Sequence, residues 1–137
     1  MLKAIRHRGT HEGTCFGTRV SLGSRRLPIF DLEDSSQPIF NEDKIIVLVG
    51  NGEIYNFREL NSELEARGHS IRTYGDLEYI VHLYEQHGVD FWNKLRGMFA
   101  VALYDIKEDT LLLSRYHLGI KPLFYRKNAS SFLFSLQ

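Results

Sequence analysis

Cysteine is nearly absent: Cys15 stands alone, which excludes an internal disulfide framework and suits a reducing compartment. Net charge is absent too. Seventeen Lys and Arg balance 17 Asp and Glu, so no overall field draws the chain to a polyanion or an acidic membrane. No run of Lys and Arg marks a nucleic-acid-binding patch, and no apolar stretch approaches the ~20 residues of a membrane-spanning helix. Met1-Leu2-Lys3-Ala4 does not have the form of a signal peptide, and internal repeats and low-complexity linkers are missing. These absences predict a cytoplasmic globular chain with neither nucleic acid nor membrane as partner. What is there is ordinary: 137 residues, 43% apolar, enough for one domain to bury a core unaided.

Met1 to Arg6 has the pattern of a last helical turn, with Gly9 as a left-handed stop after His7-Arg8. Strands are expected over Thr14–Val20 and Leu27–Leu32, with turn chemistry from Glu33 to Pro38. Ile45-Ile46-Val47-Leu48-Val49 is a continuous apolar run suited to a strand covered on both faces. A helix is expected from Asn56, as cap, to Arg67, with a stripe of Phe57, Leu60 and Leu64 and a stop at Gly68. A second runs from about Asp76 to His87, burying Leu77, Ile80, Val81 and Tyr84 and ending at Gly88, and a short third covers Phe91–Leu95. Met98–Tyr104 and Thr110–Ser114 form a hairpin around Asp105–Asp109, and Leu123–Arg126 pairs with Phe132–Ser135. Strands without alternation, mixed with amphipathic helices, call for two packed sheets with helices outside.

Three short segments carry chemistry. Asn51-Gly52 is a strong two-residue hairpin-turn pattern. The same geometry at a strand end presents an Asn amide and a backbone N–H to one point, as an oxyanion hole requires. Arg25-Arg26 at a strand start is either solvated or a bidentate grip for a carboxylate. Asp76 before a helix is either an N-cap or a partner for an ammonium group. Together they describe a site for an amino acid with a side-chain carbonyl. His7, His11 and Cys15, four apart, would face one way on a helix and suggest a metal site, but Gly9 and Gly13 interrupt that helix and no fourth ligand is evident.

His7-Arg8-Gly9, Arg25-Arg26-Leu27-Pro28-Ile29-Phe30-Asp31-Leu32, Gln37-Pro38, Asn51-Gly52-Glu53-Ile54-Tyr55-Asn56, Leu95-Arg96-Gly97-Met98-Phe99-Ala100 and Leu118-Gly119-Ile120-Lys121-Pro122-Leu123 follow one another in order. In this they resemble the glutaminase domain of glutamine-hydrolysing asparagine synthetases, a class II glutamine amidotransferase domain. The resemblance spans residues 1–137. It implies an α+β fold, a four-layer α/β/β/α sandwich of mostly antiparallel sheets of the N-terminal-nucleophile hydrolase kind. It implies that Arg26 holds the glutamine α-carboxylate and Asp76 the α-amine, that the backbone of Leu27, Ile29 and Phe30 lines the pocket, that Asn51 and Gly52 form the oxyanion hole, and that Glu53 helps seat the substrate. Ammonia would pass to a synthetase domain that uses ATP and magnesium. The glutaminase domain itself needs no cofactor and no metal.

Family members carry a nucleophilic cysteine directly after the initiator Met, and its own α-amine serves as base. Leu2 follows Met1 here, so the expectation is a domain incomplete at its N-terminus, without the first strand, inactive alone and prone to dimerise. Cys15, internal and without an α-amine, is expected to be a plain strand residue. Thr10-His11 after His-Arg-Gly, Ser24 and Tyr116 also depart from the family pattern. The competing expectation is a degenerate module that binds glutamine or a partner without hydrolysing anything. Restored activity on completing the N-terminus separates the two.

Overall fold

The computed structural model describes residues 2–17, 19–26, 36–73 and 75–136. At its centre lies a four-stranded antiparallel sheet in the order β3-β4-β5-β6, made of Ile39–Phe40, Ile46–Ile54, Gly97–Asp105 and Thr110–Arg115. The two long middle strands pair without interruption from Ile46 opposite Asp105 to Ile54 opposite Gly97. Val47, Leu48, Ala100, Val101, Ala102 and Leu103 are wholly buried, so both faces of these strands are covered, as their unbroken apolar runs predict.

Helices α1 (Phe57–Ala66) and α2 (Glu78–His87) cover one face, packing Leu60, Leu64, Ile80, Val81 and Leu83 against Leu48, Val101 and Leu103. A 3₁₀ segment, Gly88–Lys94, stands where a short helix is expected and inserts Phe91 into the same core. The opposite face carries two hairpins, β1 (His11–Phe16) with β2 (Ser21–Arg26) and β7 (Phe124–Lys127) with β8 (Phe132–Ser135). Leu22, Cys15 and Phe134 from these hairpins meet Val47, Val49, Ala102 and Tyr104 of the central sheet. A 3₁₀ segment, Leu2–Arg8, lies outside the first hairpin, with Leu2 against Gly23. The layers therefore run helices, sheet, hairpins, outer segment, and among the described residues every strand pair is antiparallel.

Several expectations are corrected. The strand foreseen over Thr14–Val20 straddles a turn, in which Gly17 N–H donates to the Val20 carbonyl at 2.8 Å. Polar and small residues blur the alternation there, so the break is invisible to periodicity. The strand over Leu27–Leu32 lies outside the described residues. Asn56 precedes α1, but its side chain makes no cap. It donates to the Lys94 carbonyl and accepts from Arg96 N–H, both at 2.9 Å, joining α1 to the approach of β5. The helix over Phe91–Leu95 is a 3₁₀ turn beginning earlier, and α2 starts at Glu78 rather than at Asp76.

Candidate functional site

Asn51 and Gly52 form no hairpin turn. Both lie inside β4, opposite Ala100 and Phe99. Gly52 adopts φ +154°, and a Cβ there would stand 2.3 Å from the Met98 carbonyl oxygen and 2.5 Å from Phe99 Cα. Only glycine fits so close an approach. Asn51 shares a strand face with Val47 and Val49, which point toward the hairpin side of the sheet. It borders a cavity of about 1270 Å³ between the two hairpins, together with Glu12, Ser24, Arg25, Gln37 and Tyr125.

Gln37 is a residue whose role the sequence leaves undefined. Its Nε2 donates to the Gly50 carbonyl and its Oε1 accepts from Gly50 N–H, each at 2.9 Å. One side-chain amide thus mimics a neighbouring strand where β3 has ended, satisfying backbone groups that are costly to leave bare. The Gln37 carbonyl also accepts from the Ser24 hydroxyl at 3.3 Å, tying β2 to β4. A Cβ at Gly13 would fall 1.6 Å from that carbonyl oxygen, so Gly13 makes the close approach possible. The Gln37-Pro38 pair was the sequence clue, and it marked the place without the hydrogen-bonding role.

Asp76 stands outside that cavity, before α2. Its Oδ2 accepts from Ile54 N–H at the far end of β4. Burial pushes the carboxyl above its ordinary range, and repulsion from Glu53 adds to this, while N–H groups of Ile54, Asp76 and Leu77 work against it. Glu53 itself is exposed. Thus Asp76, Glu53 and Ile54 gather at one end of β4, and Asn51 lies three residues earlier. Arg26 ends β2 opposite His11, and its side chain lies outside the described residues. So do Leu27, Ile29 and Phe30. The neighbouring Arg25 donates to Glu12 through Nε (3.1 Å) and Nη2 (2.5 Å) and to the Gly9 carbonyl through Nη1 (3.2 Å), which fixes its guanidinium in place.

Cys15 is half-buried in β1 opposite Leu22 and packs against the central sheet. His11 and Cys15 are four residues apart on a strand, about 13 Å at ~3.3 Å per residue. One ion cannot span that distance, and the metal site suggested by His7, His11 and Cys15 does not form.

The architecture matches that of solved structures. Glutamine phosphoribosylpyrophosphate amidotransferase from B. subtilis, complexed with ADP and GMP, superposes with a TM-score of 0.68 over 83% of this chain and 27% of its own, at 20% identity. A structure of the allosteric regulatory enzyme of purine biosynthesis gives 0.71 over 85% of this chain and 27% of its own, also at 20% identity. At such identities the likeness concerns the fold. The sequence is more specific: residues 1–137 match the glutamine amidotransferase domain model throughout, and the chain belongs to that family. Asparagine synthetase [glutamine-hydrolyzing] 2 of Bacillus subtilis is 41% identical over 98% of this chain. Asparagine synthetase B [glutamine-hydrolyzing] of Escherichia coli is 42% identical over 89% of it. The chain spans only 18% and 22% of those two proteins, so it is homologous to their glutaminase portion. No helix among the described residues is long and apolar enough to cross a membrane.

Proposed function

We propose that this chain binds glutamine as the amidotransferase part of an asparagine-synthetase-type enzyme. Arg26 takes the α-carboxylate and Asp76 the α-amine. Leu27, Ile29 and Phe30 line the site through their backbone, Glu53 helps seat the substrate, and Asn51 with Gly52 polarises the side-chain carbonyl. The observation that carries the reading is the bond from Ile54 N–H to Asp76, which anchors a half-buried carboxylate beside the strand that holds Asn51, Gly52 and Glu53. A carboxylate raised by burial and by a like charge is relieved by a cation, and an α-ammonium supplies one. The donor chemistry of an Asn amide next to a glycine in a tight strand pair suits a developing oxyanion. This chain alone releases no ammonia; in a complete enzyme, ammonia set free from the bound glutamine would pass to a synthetase domain that uses ATP and magnesium to make asparagine, in the cytoplasm. Exposed Phe124 and Tyr125 on β7 and Leu133 on β8 favour a second copy as a further partner.

Cys15 takes no part in the attack, because its side chain is committed to packing between β1 and the central sheet. The test is calorimetric titration with L-glutamine. Saturable binding is expected, weakened about tenfold or more by Arg26→Ala and by Asp76→Ala, since a charge-assisted contact is worth roughly 1.5–3 kcal/mol. Cys15→Ala leaves the affinity unchanged. A folded protein that gives no glutamine heat, or binding indifferent to both charge deletions, refutes the reading.

A further inference from the structure

Away from the strand end that carries Asn51 and Asp76, two imidazoles and two carboxylates converge behind α2. Glu42 comes from the β3–β4 turn, His69 from the α1–α2 connection, and His82 and Glu85 from α2 itself. One ligand-capable atom from each lies within 4.8 Å of all the others. His82 Nδ1 is 3.3 Å from Glu42 Oε2, and His69 Nδ1 is 3.8 Å from both Glu42 Oε1 and Glu85 Oε2. A four-coordinate ion with bonds of ~2.0–2.2 Å sets its ligands about 3.3–3.6 Å apart. Those three contacts are within a few tenths of an ångström of that spacing, and a pair as far apart as 4.8 Å closes by roughly 1.2–1.5 Å, within reach of a carboxylate rotamer change.

The second observation is a buried polar side chain without a partner. His82 is 1% exposed, and neither of its ring nitrogens makes a hydrogen bond; the buried His69 Nε2 makes none either. Buried polar atoms left unpaired are costly and rare in folded proteins. The 3.3 Å approach of His82 Nδ1 to Glu42 aims that nitrogen into the centre of the cluster without satisfying it.

We propose that Glu42, His69, His82 and Glu85 form a binding site for one divalent transition-metal ion of the zinc class. Two imidazoles with two carboxylates suit zinc, whereas magnesium and calcium favour oxygen donors alone. His82 and Glu85 lie three apart on α2 and so share a face. Behind them, Glu78 Oε1 is 3.6 Å from His82 Nε2. Glu78 is itself held by Arg72 N–H at 2.9 Å, Thr73 N–H at 2.7 Å and the Thr73 hydroxyl at 2.6 Å. A carboxylate behind a ligating imidazole orients the ring and raises its basicity. Glu42 is braced likewise, accepting from Ser70 N–H at 3.1 Å. Four protein ligands leave no open position, so the ion is structural and clamps the β3–β4 turn and the α1–α2 connection to α2.

The test uses the full chain, stripped with a chelator and titrated with Co(II) and Zn(II). Co(II) is expected to give the strong visible bands of a four-coordinate ion, saturating at one equivalent and displaced by zinc. Saturating zinc raises the melting temperature by roughly 5 °C or more, and magnesium does not. Glu85→Gln, at an exposed position that tolerates change, and His69→Gln each weaken zinc binding at least tenfold. Thr73→Val, which removes a support of Glu78, weakens it by about 10–100-fold. A folded protein with no saturable Co(II) spectrum overturns the proposal, as does zinc affinity unmoved by Glu85→Gln and His69→Gln. Equal stabilisation by magnesium overturns the metal class. A cluster that is merely a buried imidazolium held by carboxylates shows as stability that varies with pH and is indifferent to zinc, and this too refutes the site. None of these readouts involves glutamine, so the result is independent of the function proposed above.

Discussion

One buried acid and one half-buried acid show how environment sets opposite titration behaviour in one small domain. Burial works against ionisation of Glu78, yet the facing His82 imidazole, the Thr73 hydroxyl and the backbone N–H groups of Arg72 and Thr73 outweigh it and hold the carboxyl at about 2. A folded-state pKa below the unfolded value means stability that is present above the unfolded pKa and lost as pH falls through the folded one. The interval from 4.5 down to about 2 corresponds to about 3 kcal/mol. Glu78→Gln is therefore expected to lower unfolding free energy by about 3 kcal/mol at pH 7, with the deficit closing as pH approaches 2 in urea titrations. A deficit that persists undiminished in acid shows that packing, not charge, is what the substitution removes. Asp76 has the reverse sign. Burial raises its folded-state pKa, so ionisation costs stability as pH rises from the unfolded value through the folded one. Asp76→Asn keeps an oxygen to accept from Ile54 N–H and removes the charge. The variant is expected to melt higher than the parent at pH 7, to match it near pH 3, and to bind glutamine more weakly. A lower melting temperature at pH 7 overturns this account of Asp76.

Among the elements, β4 and β5 depend on glycines that let two backbones close up. A Cβ at Gly97 would lie 2.1 Å from the Glu53 carbonyl oxygen, as one at Gly52 would meet Met98 and Phe99. Gly52→Ala is expected to cost about 1–3 kcal/mol or more in denaturant unfolding and to weaken glutamine binding by displacing Asn51. Stability within 0.5 kcal/mol of the parent shows that β4 has another way to accommodate the methyl group. This strand also explains what the sequence makes legible. Continuous apolar runs identify β4, β5 and the inward faces of α1 and α2, because burial on both faces or on one helical stripe leaves a local pattern. Asn51-Gly52 misleads as a turn because its strand partners, Ala100 and Phe99, lie about 50 residues further along the chain, beyond the reach of any local pattern. Asn56 and Asp76 likewise have the composition of helix caps, but Lys94, Arg96 and Ile54 offer their side chains distant backbone partners instead. Gln37 and the Glu42, His69, His82 and Glu85 cluster are invisible for the same reason: their members converge from separate elements. The motif resemblance located Asn51, Gly52 and Asp76 as site candidates, and only the fold shows which backbone groups fix them.

Across the whole molecule, stability is expected to fall from the central sheet outward. Val47, Leu48, Val101 and Leu103 are fully buried, and their strands carry helices on one side and hairpins on the other. The β7–β8 hairpin is the opposite case. Phe124 and Tyr125 are 62% and 69% exposed, all four residues of β7 are exposed, and the hairpin reaches the core through Phe134 and Leu136. A two-stranded hairpin with so little buried surface is marginal on its own. The cavity of about 1270 Å³ beside it also denies it a packed neighbour on the β1–β2 side. Local opening free energies follow buried contact, so amide exchange should proceed in tiers. Amides of β4 and β5 are expected to exchange only with global unfolding, those of β1–β2 faster, and those of β7–β8 at least about a hundredfold faster than the sheet. Ligand that binds at the strand end near Asp76 should slow exchange in β4 through Ile54 N–H while leaving β7–β8 unchanged. Hydrogen exchange followed by mass spectrometry resolves these segments. Protection of β7–β8 equal to that of β4 and β5 would mean that the hairpin is held by contacts outside this single chain, and a concentration dependence of that protection would identify a second copy as their source.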